Sequence, residues 1–124
     1  IENMGPTFID NLGIAEPVND TSLQTYRKSS ALNFYTLAPD RTSRHMDPLL
    51  ITIEANEEIS KDPVGHEGEE WIYCVEGEFM IEYGQKIYIM KPGDSIYYDC
   101  IVPHQARDHN GQRAKFLACV YVPI

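Results

Sequence analysis

Gly65-His66-Glu67-Gly68-Glu69-Glu70-Trp71-Ile72-Tyr73-Cys74-Val75-Glu76-Gly77 sets a glutamate, Glu70, at the head of an apolar run. Period-2 alternation puts Glu70, Ile72 and Cys74 on one face of a strand and Trp71, Tyr73 and Val75 on the other. A carboxylate sharing a face with Ile72 and Cys74 is costly to bury unless it has a partner or a task. Upstream, Asp62-Pro63-Val64-Gly65 is turn chemistry that delivers His66 into the same strand.

The β signal extends in both directions from this run. Strands are predicted over 32–37, 49–54, 70–75, 78–83, 86–90, 95–98, 104–108 and 115–122. They are separated by Glu76-Gly77, Gly84-Gln85, Lys91-Pro92-Gly93-Asp94, Val102-Pro103 and Asn110-Gly111. Asn110-Gly111 between two strands predicts a hairpin. Many short strands at regular spacing, with no helical period, imply an all-β barrel or sandwich. The first stretch differs. Residues 1–28 carry Gly5-Pro6, Asn11, Gly13, Pro17 and Asn19-Asp20. They are expected to form an N-terminal arm or linker with a short strand or one helical turn, leaving 29–124 as the β domain.

With 124 residues the chain suits one domain. Nineteen acids against ten bases give a net charge of -9. Glu54 to Glu82 holds ten of those acids and one base, Lys61, so this window carries the whole net charge. Nucleic-acid affinity needs basic side chains that displace counterions from phosphates. No nucleic-acid binding is therefore expected of this chain alone. No run of 18 apolar residues is present, which excludes a transmembrane helix. Cys74, Cys100 and Cys119 are odd in number and lack CxxC spacing, as suits reduced thiols in a cytoplasmic protein. The chain begins at Ile1 rather than Met, as a piece of a longer protein would.

His66, Glu70 and His104 carry the chemistry. His104 follows Pro103 at the start of its strand and shares a face with Ala106 and Asp108. Two imidazoles and one carboxylate on the inner wall of a small barrel suit a divalent transition metal, Fe, Mn, Zn or Ni, with open coordination positions. Without metal the same groups hydrogen-bond a polar ligand or serve as acid and base. The expected pocket comprises His66, Glu70, Ile72, Cys74, His104 and Phe116. His45 and His109 lie in charged loops and are expected to face solvent, as are Arg41, Arg44 and Arg107.

The quoted run, together with Lys91-Pro92-Gly93-Asp94-Ser95-Ile96-Tyr97-Tyr98 and Val102-Pro103-His104, resembles the cupin superfamily. Its two motifs read G-x5-H-x-H-x(3,4)-E-x6-G and G-x5-P-x-G-x2-H-x3-N. His66, Glu70, Gly77, Gly93 and His104 match them in place. Val64 stands where the first motif has its leading histidine, and Glu58 where it has its opening glycine. Asp99, Ile101 and Asp108 replace the second motif's proline, glycine and asparagine. The resemblance implies a double-stranded β-helix, or jelly-roll, barrel, and a metal site keeping three ligands of four.

Residues 34–38, 44–50 and 66–77 are also similar to the cupin half of bacterial helix-turn-helix regulators. That likeness implies a sensor domain that binds a small-molecule effector, with DNA binding left to a head this chain lacks. The alternative is a stand-alone metal-dependent dioxygenase, isomerase or lyase acting on a small polar substrate. The family resemblance further implies a homodimer formed through the sheets, with the arm crossing to the partner.

Overall fold

A computed structural model describes residues 5–8, 16–17, 32–55, 63–121 and 123. Nine strands are assigned among them: β1 (Glu16–Pro17), β2 (Leu32–Thr36), β3 (Met46–Ile53), β4 (Glu69–Glu76), β5 (Phe79–Tyr83), β6 (Lys86–Met90), β7 (Ser95–Asp99), β8 (His104–Asp108) and β9 (Ala114–Tyr121). They form a six-stranded sheet in the order β1-β2-β3-β9-β4-β7 and a three-stranded sheet in the order β6-β5-β8. Every pairing is antiparallel. The chain passes back and forth between the sheets, as in a jelly roll.

Alternation along the strands builds the core between the two sheets. In β4, Glu70, Ile72 and Cys74 are buried while Glu69, Trp71 and Tyr73 are exposed. In β9 the buried set is Ala114, Phe116, Ala118 and Val120. The registers Glu70↔Val120, Ile72↔Ala118 and Cys74↔Phe116 keep these sets on one face. Leu49, Ile51 and Ile53 of β3 continue that face. The smaller sheet answers with Phe79 and Ile81 of β5 and Ala106 of β8. Phe79 stacks on Phe116 across the sandwich, with ring centroids 4.6 Å apart at 20°.

Two sequence expectations need adjustment. Asn110 and Gly111 do adopt the left-handed backbone that a tight turn demands, with φ of 58° and 65°. However, β8 and β9 belong to different sheets, so the turn is a corner between sheets and not a paired hairpin. The two-residue hairpin lies instead at Gly84-Gln85, where Tyr83 pairs with Lys86. Second, the arm expected over 1–28 falls mostly outside the described residues. What is described pairs Glu16 with Thr36 and Pro17 with Tyr35, which adds a short edge strand to the larger sheet. Arg41 donates to the carbonyl of Gly5 (3.2 Å), and Thr7 to Asp40 (3.3 Å).

The outer face of the smaller sheet holds a small polar network. Gln105 and Arg107 of β8 each donate to Glu82 of β5 at 2.8 Å. Burial pushes the Glu82 carboxyl up, but these two hydrogen bonds and the guanidinium charge outweigh it and hold the group below its ordinary value. Arg107 is thus engaged across strands and directed away from the interior.

Candidate metal centre

The site lies at one end of the sandwich, where the first residue of β8 faces the second residue of β4. His104 pairs with Tyr83 in the smaller sheet, and Glu70 pairs with Tyr98 in the larger one. Tyr98 packs against His104 at 5.0 Å between ring centroids and against Tyr83 at 5.1 Å. His66 comes from the segment just before β4, with its ring 5.3 Å from that of His104. All three groups are buried, Glu70 completely.

The backbone explains how His66 reaches this end. Its N–H donates to the carbonyl of Cys100 (2.8 Å), and the N–H of Cys100 donates to the carbonyl of Gly68 (2.9 Å). The 65–68 segment therefore lies against 100–101. Gly65 permits the contact, because a Cβ there would stand 2.0 Å from the carbonyl oxygen of Ile101. Val64 forms a bridge with His104 on the same side.

Hydrogen bonding fixes both imidazole tautomers. His66 Nδ1 lies 2.9 Å from the carbonyl oxygen of Glu67, and His104 Nδ1 lies 2.8 Å from that of Val102. A carbonyl can only accept, so each Nδ1 carries a proton and Nε2 is the atom each ring can offer to a metal. Anchoring of this kind orients histidines that bind metal. His104 Nε2 is 3.9 Å from Glu70 Oε2. The donor set fits a divalent transition cation, because two imidazoles and a carboxylate, all buried, bring their ligand atoms to within 4.8 Å of one another.

A fourth residue joins the cluster. Ligand atoms of His66, Glu70, Cys100 and His104 all lie within 4.8 Å of one another, and all four residues are buried. The strand expected over 95–98 stops short of Cys100, which the expected pocket does not include. The missed signal was the continuing alternation Ile96, Tyr98, Cys100, which carries the thiol inward one residue past the strand.

The structure places the other expected pocket residues in the hydrophobic core. Ile72, Cys74 and Phe116 belong to its main cluster. The Cys74 thiol donates to the carbonyl of Gly77 (3.1 Å), and burial together with Asp94 raises its pKa. Cys74 stands four residues beyond Glu70, roughly 13 Å along the strand. His45 is exposed and His109 half-buried, both in loops. Arg44 is tied to Asp47 (3.4 Å) and to the carbonyls of Ala38 and Arg41. Among the described residues no helix is long and apolar enough to cross a membrane.

Comparison with known proteins agrees with this architecture. A family model described as "Cupin domain" matches residues 49–121. No curated protein matches the chain. Among solved structures, Fe(II)-HppE with an alternative substrate superposes with a TM-score of 0.71 at 19% identity, over 96% of this chain and 63% of that one. The cupin domain of an XRE-family transcriptional regulator from Enterobacter cloacae gives 0.64 at 16% identity, over 77% of this chain and 100% of that one. An HTH_3-family transcriptional regulator from Vibrio cholerae gives 0.62 at 18%, over 86% and 61%. The chain thus spans about three-fifths of the lengths of HppE and of the Vibrio regulator. At these identities the likeness concerns the fold.

Proposed function

The chain belongs to the cupin family, and from that premise we propose that it is a small-molecule-binding sensor or effector domain, the ligand-binding part of a transcriptional regulator. Its pocket holds a divalent transition metal on His66, Glu70 and His104. The observation that carries this reading is the pair of Nδ1-anchored imidazoles beside a wholly buried carboxylate. When bound, such a metal supplies Lewis acidity and open positions for oxygen atoms of a ligand. The chain's own residues orient and enclose. The Glu67 and Val102 carbonyls hold the two rings, and Tyr98 and Tyr83 wall the site beside His104. The likeness to a whole regulator cupin domain supports the sensor role.

A metal-dependent enzyme is the second reading, favoured by the coordination positions that three donors leave open and by the Fe(II) neighbour. The coding sequence upstream separates the two. An in-frame helix-turn-helix segment is expected, and a gene without one leaves the enzyme reading in place. The metal is tested by elemental analysis of protein purified without chelator. One equivalent of transition metal per chain is expected, and its loss in His66→Ala. Protein that stays metal-free after dialysis against Zn(II) or Fe(II) refutes the site.

We also propose that two copies pair through the larger sheet. Trp71, Tyr73, Tyr97 and Tyr121 form an exposed aromatic face on its outer side, with Trp71 stacked on Tyr73 at 6.0 Å. Aromatic side chains of this kind are enriched at the centres of protein interfaces. Light scattering should give twice the chain mass, and a monomer mass would refute the pairing.

A further inference from the structure

We propose that Cys100 is the fourth protein donor of the metal centre, which then has two histidines, one glutamate and one cysteine and prefers Zn(II) to Mn(II). The inference rests on the three-residue site proposed above and adds a ligand to it. Cys100 is completely buried, and its Sγ lies 3.8 Å from Glu70 Oε2, the carboxylate oxygen that also faces His104 Nε2. The thiol is therefore part of the cluster, with all four ligand atoms within 4.8 Å of one another.

Its position is held by the main chain and does not depend on a side-chain rotamer alone. The peptide groups of Cys100 bond on one side to His66 N–H and on the other to the Gly68 carbonyl. The same pairing that brings His66 to the site therefore brings Cys100. Val64, the other residue bridged to this region, is apolar and 43% exposed, and offers no donor. The thiol supplies what that position lacks.

The chemistry has consequences. On binding, the S–H bond breaks as the metal–sulfur bond forms, and the proton leaves to solvent. Thiolate and carboxylate together then neutralise a divalent ion inside the protein. A soft sulfur donor selects Zn(II) and its analogue Co(II) over Mn(II), which prefers oxygen. A fourth protein donor leaves the metal fewer open positions than the three-residue site, so a ligand oxygen would bind there by expansion to five-coordination.

Anaerobic titration of reduced, metal-free protein with Co(II) tests the assignment. One equivalent should bind and produce a near-ultraviolet thiolate-to-cobalt charge-transfer band. Cys100→Ser should still bind one equivalent, without the band and at least about tenfold more weakly. The double variant Cys74→Ser with Cys119→Ser should keep the band. Co(II) bound by wild type without the band overturns the Cys100 ligand and leaves the three-residue site intact. No Co(II) binding at all removes both. A band that survives in Cys100→Ser assigns it to another cysteine and overturns the proposal. If Cys100→Ser fails to fold, X-ray absorption on the wild-type Zn(II) protein decides. A sulfur neighbour at about 2.3 Å is expected, and a shell of nitrogen and oxygen alone overturns it.

Discussion

Replacing Gly65 with alanine should destabilise the protein by about 3 kcal/mol, the upper end of ordinary overpacking, and should empty the metal centre. The new Cβ would meet the Ile101 carbonyl oxygen at 2.0 Å and its carbon at 2.8 Å. Both are backbone atoms, so no side-chain rotation relieves the contact. The 65–68 segment must move away from 100–101. That movement breaks the bond from His66 N–H to the Cys100 carbonyl and draws His66 away from Glu70. Urea unfolding and Zn(II) titration should therefore change together. A variant of wild-type stability with undiminished Zn(II) affinity would show that this close approach does not hold the site.

Phe116→Ala should cost about 3–5 kcal/mol, the usual range for a buried aromatic reduced to alanine. Phe116 and Phe79 are both fully buried and stack at 4.6 Å, one from each sheet, so the lost ring is a contact between the two layers. The metal centre lies toward the other end of β4 and should keep its affinity in the folded fraction. This outcome differs from that of Gly65→Ala, in which stability and binding fall together. A loss well under about 1 kcal/mol in urea unfolding, below the range for such a truncation, would mean that the sheets are held elsewhere.

Much of the framework was legible because alternation is a local property. Glu70, Ile72 and Cys74 on one face of β4, with Trp71 and Tyr73 on the other, follow from the pleat alone. Turn chemistry was legible only in part. Asn110-Gly111 specifies two positive φ angles, and these occur. Which sheet each flanking strand joins depends on distant partners, β5 for β8 and both β3 and β4 for β9. The same limit governs the site. Alternation marks Cys74 and Phe116 as inward, but which inward residues gather around Glu70 depends on partners from other strands. For Cys100 the alternation Ile96, Tyr98, Cys100 marks an inward thiol, but its closeness to His66 and Glu70 could not be read from it. Its place is set by hydrogen bonds to His66 and Gly68, far away in sequence. The charge window of Glu54 to Glu82 divides along similar lines. Glu70 is buried at the centre, while Glu67, Glu69 and Glu76 are exposed and Glu82 answers Arg107 on the outer face.

The most direct test of the metal centre is anomalous diffraction at the zinc edge from crystals of Zn(II)-loaded protein. One strong peak per chain is expected, bounded by the Nε2 atoms of His66 and His104 and by the Glu70 carboxylate. A peak bound only by surface groups, or none between these three residues at full zinc loading, would contradict it.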